Sequence, residues 1–226
     1  ETDYPRKRGL DAETVKRFRL GFDPDWISPT AKYSRKQENK KREREGLEPL
    51  PPLTSSPRLI IPLSANNYLA RDTRPDTELT DGQKKFKKMN EGKDKPFFNR
   101  NAIENPLCFF VVEGELDAIS IEQAGGSCLA LGSTVKAKAL GKELQKRDAL
   151  KTGTVIISLD NDTAGQQAAE EIANACEFAG LDFIKANVSG QYKDPNEFLI
   201  NDRAGFYAAV RGLIETVRAE KLADYR

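Results

Sequence analysis

The feature that most constrains this chain is an alternation that begins after Pro106. Cys108-Phe109-Phe110-Val111-Val112 is an apolar run of strand length, rich in aromatic and β-branched residues. Glu115–Gln123 follows with helical spacing, Leu116, Ile119 and Ile121 inward, and stops at Gly125-Gly126. Ser127–Leu131 reads as a short strand, Lys136–Leu150 as a helix, Val155–Leu159 as a strand and Phe183–Val188 as another. Between the last two, Ala164–Phe178 reads as a helix with Ala164, Ala168, Ile172, Ala175 and Ala179 in step, ended by Gly180. Strands that alternate with helices build a mostly parallel sheet covered on both faces. The expected fold is α/β. A mostly parallel sheet flanked by helices spans 105–200, a smaller basic α+β subdomain precedes it over 1–104, and a helical tail occupies 201–226.

The upstream part carries weaker signals. Residues 11–20 read as a short helix, with Asp11 as its cap and Leu10 and Val15 spaced as a hydrophobic staple. Leu59–Leu63 reads as a strand, Asn66-Asn67 as a turn and Tyr68–Ala70 as the returning strand. Ala31–Glu48 is almost wholly polar, centred on Lys40-Lys41-Arg42-Glu43-Arg44 and closed by Pro51-Pro52. It reads as a mobile charged insertion over 31–50, with a solvated helix as the alternative.

Charge separates the two parts. The net +1 conceals 23 Lys+Arg against 16 Asp+Glu in residues 1–100, and 13 against 19 in the rest. Such an asymmetry suits a basic part that holds a polyanion and an acidic part that holds metal ions. Lys84, Lys85, Lys87 and Lys88, around Phe86, are the densest basic cluster.

Other classes are closed off. With no histidine, triads built on it and most zinc sites are excluded. Cys108, Cys128 and Cys176 are scattered among apolar neighbours, so buried free thiols and a reducing, cytoplasmic setting are expected. No apolar run approaches a membrane span, and no signal peptide is visible. The chain opens on Glu1 and its one methionine is Met89, which points to a fragment or a processed product.

Catalysis, where present, therefore rests on carboxylates, cations or bound metal. Glu113 directly follows the Phe109–Val112 run, Asp160 and Asp162 follow Val155–Leu159, and Asp194 comes shortly after Phe183–Val188. In open α/β sheets ligands bind outside the carboxyl ends of the strands. Carboxylates crowded there repel unless a divalent cation neutralises them, and hard oxygen donors select Mg²⁺ or Mn²⁺. Each residue also has a simpler reading: Asp162 as a helix cap, Asp194 as a turn residue before Pro195, Asp117 as a charge favoured in the first turn of a helix.

These residues resemble a known family. Val111-Val112-Glu113-Gly114-Glu115-Leu116-Asp117-Ala118 resembles the first TOPRIM motif, and Ala130-Leu131-Gly132-Ser133 the turn that follows it. Ile157-Ser158-Leu159-Asp160-Asn161-Asp162-Thr163-Ala164-Gly165 is similar to the Asp-x-Asp motif, and Lys193-Asp194-Pro195-Asn196-Glu197 to the late acidic motif. Upstream, Arg8-Gly9-Leu10, Phe18–Phe22 and Arg58–Leu63 resemble the entry to the polymerase core of DnaG-type primases, especially those of phages, mobile elements and primase–helicase fusions. The resemblance implies synthesis of short RNA on a single-stranded DNA template from ribonucleoside triphosphates. It implies Glu113, Asp160 and Asp162 as catalytic, with Glu113, Asp117, Asp160, Asp162 and Asp194 as ligands of Mg²⁺ (or Mn²⁺). Arg71, Lys85 and Lys88 would hold nucleic-acid or nucleotide phosphates. A replicative helicase and an upstream zinc-binding module are the implied partners, with no membrane. Two departures stand out: the zinc-binding module of that family has no counterpart here, and Asn196 stands where its cellular members carry a second Asp. The rival readings are a TOPRIM nuclease or topoisomerase-type enzyme, and a catalytically inactive nucleic-acid-binding module.

Overall fold

The computed structural model describes residues 2–79, 86–90, 97–148 and 151–224. In chain order its elements are helices α1 (Tyr4–Lys7) and α2 (Ala12–Arg17), strand β1 (Gly21–Trp26), helix α3 (Pro29–Arg44) and strands β2 (Ser56–Pro62), β3 (Asn67–Asp72), β4 (Phe86–Asn90) and β5 (Cys108–Val112). Helix α4 (Glu115–Gln123), strand β6 (Cys128–Ala130), helix α5 (Ala137–Leu144), strand β7 (Thr154–Ile157), helix α6 (Thr163–Ala179), strand β8 (Phe183–Lys185) and helices α7 (Pro195–Asn201) and α8 (Arg203–Asp224) complete it. They form two compact units, one of Glu1–Tyr4 with Arg19–Lys95, the other of Pro5–Phe18 with Pro96–Arg226. Among the described residues no helix is long and apolar enough to cross a membrane.

The first unit is an antiparallel sheet in the order β1-β2-β3-β4. The expected hairpin is β2–β3, paired from Arg58↔Asp72 to Pro62↔Tyr68. Leu63 N donates to Asn67 O at 2.8 Å to close its turn. Leu59, Ile61, Leu69 and Ala70 are buried along it, and Trp26 joins them. An ionic cluster lies on this sheet. Asp72 has no exposure, and its carboxylate meets Arg58 at 3.1 Å and Arg74 at 2.7 Å. The Arg58 guanidinium lies 5.2 Å from the Trp26 ring centroid.

The charged stretch departs from the favoured reading. Pro29–Arg44 is a helix with no buried residue, in place of a mobile insertion. Its Lys, Arg, Glu and Gln residues are good helix formers, which suffices where no apolar face is needed. Ser28 caps the start by accepting from Ala31 N, and Lys41, Arg42 and Arg44 lie in the last turn, where the helix dipole favours cations.

The second unit carries the parallel sheet, in the order β6-β5-β7-β8 with every pairing parallel. Each residue of β5 is buried, as its unbroken apolar run requires. Phe109 and Val111 pack with Leu129, Leu140, Val155, Ile157, Ile172 and Cys176 in one core. Four elements are shorter than the sequence suggests: β6 keeps only Cys128–Ala130, α5 ends at Leu144, β7 at Ile157 and β8 at Lys185. Helix α6 buries Ala168, Ile172 and Ala175 of the expected row, with Ala179 partly buried against the core. Its buried side is Gly165, Ala168, Ile172, Ala173, Ala175 and Cys176, and Ala164 is exposed. Gly180 ends it in the left-handed conformation, φ 65°. The three thiols are free and buried, and desolvation lifts Cys108 to about 11 and Cys176 to about 12.

The strand order fixes where a ligand can enter. From β5 the chain moves outward to β6, then crosses back to β7 on the other side of β5. The connections diverge between β5 and β7, and that divergence opens a crevice at their carboxyl ends.

Candidate functional site

Four aspartates and one glutamate come to this rim from separate elements of the second unit. Glu113 leaves the tip of β5, partly buried, and its carbonyl accepts from Gly132 N at 2.7 Å. Asp117 sits in the first turn of α4, one of two acids there. Asp160 and Asp162 lie between β7 and α6, and Asp194 lies at the head of α7.

Local chemistry holds each one. Asp162 caps α6, its Oδ1 accepting from Gly165 N at 2.7 Å. Asp194 caps α7 in the same manner, its Oδ1 accepting from Glu197 N at 2.7 Å, while Lys193 N donates back to Glu197 Oε2 at 2.7 Å. The capping reading is therefore correct for Asp162, and Asp194, read from sequence as a turn residue, is a cap as well. Capping occupies one oxygen of each carboxylate and leaves the second for a cation. The loop into α7 is tied to the sheet by Val188 N, which donates to Ser158 Oγ at 3.1 Å. Tyr192 stacks on Phe198, centroids 4.6 Å apart, and steadies the turn around Asp194.

Two glycines make the crowding possible. A Cβ on Gly165 would collide with the Asp160 carbonyl, and one on Gly114 with Asp117 Oδ2. The glycines that trail Glu113 and Asp162 in the sequence are thus spaces that the neighbouring acids and backbone occupy.

Electrostatics shows which acids face one another. Burial, then the Asp194 charge, then that of Asp160 push Asp117 up to about 7, against the pull of Asn196 N and Arg8. Asp160 is also raised, by desolvation first and then by Asp162 and Asp194, with Lys193 opposing. Asp117, Asp160, Asp162 and Asp194 therefore form one repelling group. Among the described residues, no three Asp, Glu or Cys side chains already stand grouped as around one metal ion. The donors still fit a hard divalent cation: all are carboxylates, they repel one another, and a cation is what relieves that repulsion.

Asn196 and Arg8 were missed as site residues. Asn196 is fully buried, and its N–H donates to Asp117 Oδ1 at 3.2 Å. Its Nδ2 donates to Arg8 O and to Ser120 Oγ, each at 2.9 Å. The Asp-Pro-Asn order at 194–196 was the available signal for Asn196. For Arg8, 109 positions from Asp117 by the chain numbering, no local pattern reveals the proximity.

The basic candidates belong to the other unit. Arg71 lies on β3, where its Nε donates to Tyr4 Oη at 2.8 Å. Lys88 lies on β4, paired with Leu69. Lys84 and Lys85 fall outside the described residues.

A protein-family model described as Toprim-like matches residues 110–199, from inside β5 to α7. Residues 110–199 are a Toprim-like domain. Beyond the Toprim-like domain, the DNA primase of Deinococcus radiodurans is 28% identical over 245 residues, covering 96% of this chain and 40% of that protein. The chain thus spans about two fifths of the length of that relative. Among solved structures, the Aquifex aeolicus primase, with its zinc-binding and RNA polymerase domains, shares 22% identity at a TM-score of 0.60, over 95% of this chain and 55% of the other. The primase fragment of the bacteriophage T7 primase–helicase shares 18% at 0.58, over 89% and 70%. The Toprim-like domain and the antiparallel unit before it share the fold of these primases.

Proposed function

We propose that this chain is the catalytic core of a DNA primase, joining ribonucleotides on a single-stranded DNA template. The observation that carries the proposal is the repelling group of Asp117, Asp160, Asp162 and Asp194 at the β5/β7 crevice of a Toprim-like domain. The alignment of 96% of the chain with a DNA primase supports the choice among Toprim-type activities.

In the reaction the 3′-hydroxyl oxygen of the growing RNA bonds to the α-phosphorus of a ribonucleoside triphosphate. The hydroxyl loses its proton and pyrophosphate leaves. Asp160, Asp162 and Asp194 would hold Mg²⁺ (or Mn²⁺), and Glu113 would serve as a further ligand or as the proton acceptor. Bound there, such an ion would supply charge neutralisation and polarisation of the triphosphate oxygens. Asn196 and Arg8 hold Asp117 in orientation. Arg71, Lys85 and Lys88 attract template or nucleotide phosphates by charge. Partners of the kinds present in the relatives, a zinc-binding module and a replicative helicase, would supply template capture and movement.

The test is a template-dependent assay with labelled ribonucleotides, single-stranded DNA and Mg²⁺ or Mn²⁺. New RNA supports the proposal. Shortened DNA would identify a nuclease, and binding without either product an inactive module.

A further inference from the structure

We propose that one face of α3 is a second site for single-stranded nucleic acid, apart from the carboxylate crevice and independent of polymerisation. The helix lies within the first unit. Three of its side chains are engaged by the loop that follows. Arg35 donates to Pro51 O, Arg42 Nε donates to Glu48 O at 2.7 Å, and Asn39 Oδ1 accepts from Leu50 N at 3.0 Å. These three fasten the proline-rich loop that follows the helix back along its side.

Another row of cations is left unused by that loop. Lys32, Lys36, Lys40 and Arg44 recur every fourth residue, so they climb one face at steps of about 6 Å. All four are exposed, and none is ion-paired among the described residues. The three lysines, with Arg35 and Asn39 of the same helix, form one wall of a groove of about 920 Å³, with Leu47, Pro49 and Leu53 on its loop side and two acids, Glu43 and Glu48, in its lining. Tyr33 stands at the edge of the same row, one turn from Lys36, and the residue is 66% exposed.

This combination selects the occupant. An evenly spaced row of cations matches the repeating charge of a phosphate backbone, and an acidic peptide, even with carboxylates at the same step, brings no base to stack on an aromatic ring. An exposed aromatic ring beside the row offers a base its flat face, the pairing by which single strands are held without sequence preference. The helix needs no apolar face for its own folding, so its charges are free to serve a ligand. The phosphates lie along Lys32, Lys36, Lys40 and Arg44, and a base stacks on Tyr33.

The experiment measures binding of a fluorescent oligothymidylate to the full chain across a salt series, in EDTA and without nucleotides. Failure here is thereby separate from failure of the polymerase assay. The variants are Tyr33→Ala and the combined Lys32→Gln, Lys36→Gln, Lys40→Gln and Arg44→Gln. All sit on an exposed helix face, and circular dichroism checks that the helix remains. The combined variant should bind at least tenfold more weakly at low salt, with its log K against log salt slope shallower by about two to three. Tyr33→Ala should weaken binding at least about fivefold and leave the slope unchanged. A wild-type slope in the combined variant overturns the site, and so does wild-type affinity in Tyr33→Ala. Oligoglutamate that competes as well as oligothymidylate also overturns it, because the surface would then be one for acidic protein.

Discussion

At the residue scale, Asn196 shows how one side chain can be specified by the groups around it. Both of its amide hydrogens are used, one on the Arg8 carbonyl and one on Ser120 Oγ, while the Ser120 hydroxyl donates to Leu116 O at 2.8 Å. A carboxylate at 196 would bring only acceptors to the Arg8 carbonyl, which is itself an acceptor, and would add a charge beside Asp117. Asn196→Asp should therefore destabilise the protein by about 2–4 kcal/mol, read as a lower urea midpoint at unchanged m. Asp117 itself carries a pH signature. Its folded carboxyl titrates near 7 against an ordinary value of 3.8. A raised folded value means that the folded chain retains the proton longer. The associated stability is complete below about 4 and is lost as pH rises through about 7. Asp160 shifts the same way, whereas Asp72 is lowered by its arginines and acts only at acid pH. In metal-free buffer, Tm should fall between pH 5 and 7.5, and Asp117→Asn should flatten that fall. An equal fall in the variant would assign the pH dependence to other groups.

At the scale of elements, legibility followed packing. β5 and α4 were readable because each is defined by its own apolar pattern, and their observed ends match the expected ones. Helix α3 was ambiguous because it buries nothing, so hydrophobic periodicity had no signal to give and only propensity and Ser28 spoke for a helix. Helix α6 was read in the right phase at Ala168, Ile172 and Ala175, but alanine is at home on either face: Ala164 is exposed, and Gly165, Ala173 and Cys176 complete the buried side. The acids at 160, 162 and 194 were found in sequence through strand-end logic, but their convergence depends on the β5/β7 crossover, which no single segment encodes. Two tests belong here. Gly165→Ala places a methyl into the Asp160 carbonyl and should lower stability by about 1–3 kcal/mol while displacing the Asp160–Asp162 turn. In the antiparallel sheet, Asp72→Ala leaves the Arg58 guanidinium buried without its carboxylate. A loss of about 3–5 kcal/mol is expected by denaturant titration, since breaking one side of a buried pair is the costly case.

At the scale of the whole molecule, the proposed function gives the basic first half and the acidic second half separate tasks: the first would gather phosphates and the second would confine the cation. Asp160→Ala or Asp162→Ala should abolish Mg²⁺-dependent synthesis while the fold, judged by circular dichroism, persists. Synthesis at the wild-type rate in either variant would remove that residue from the chemistry.

The capping of α6 and α7 has a spectroscopic consequence. The amide protons of Gly165 and Glu197 each point at a carboxylate of the crevice, 2.7 Å from nitrogen to oxygen. A cation drawing charge from the other oxygen of Asp162 or Asp194 weakens that oxygen as an acceptor. Both amide resonances should then move upfield as Mg²⁺ is added, in parallel with occupancy. Two backbone signals far apart in sequence would thereby act as a built-in gauge of the crevice, readable without substrate, label or turnover.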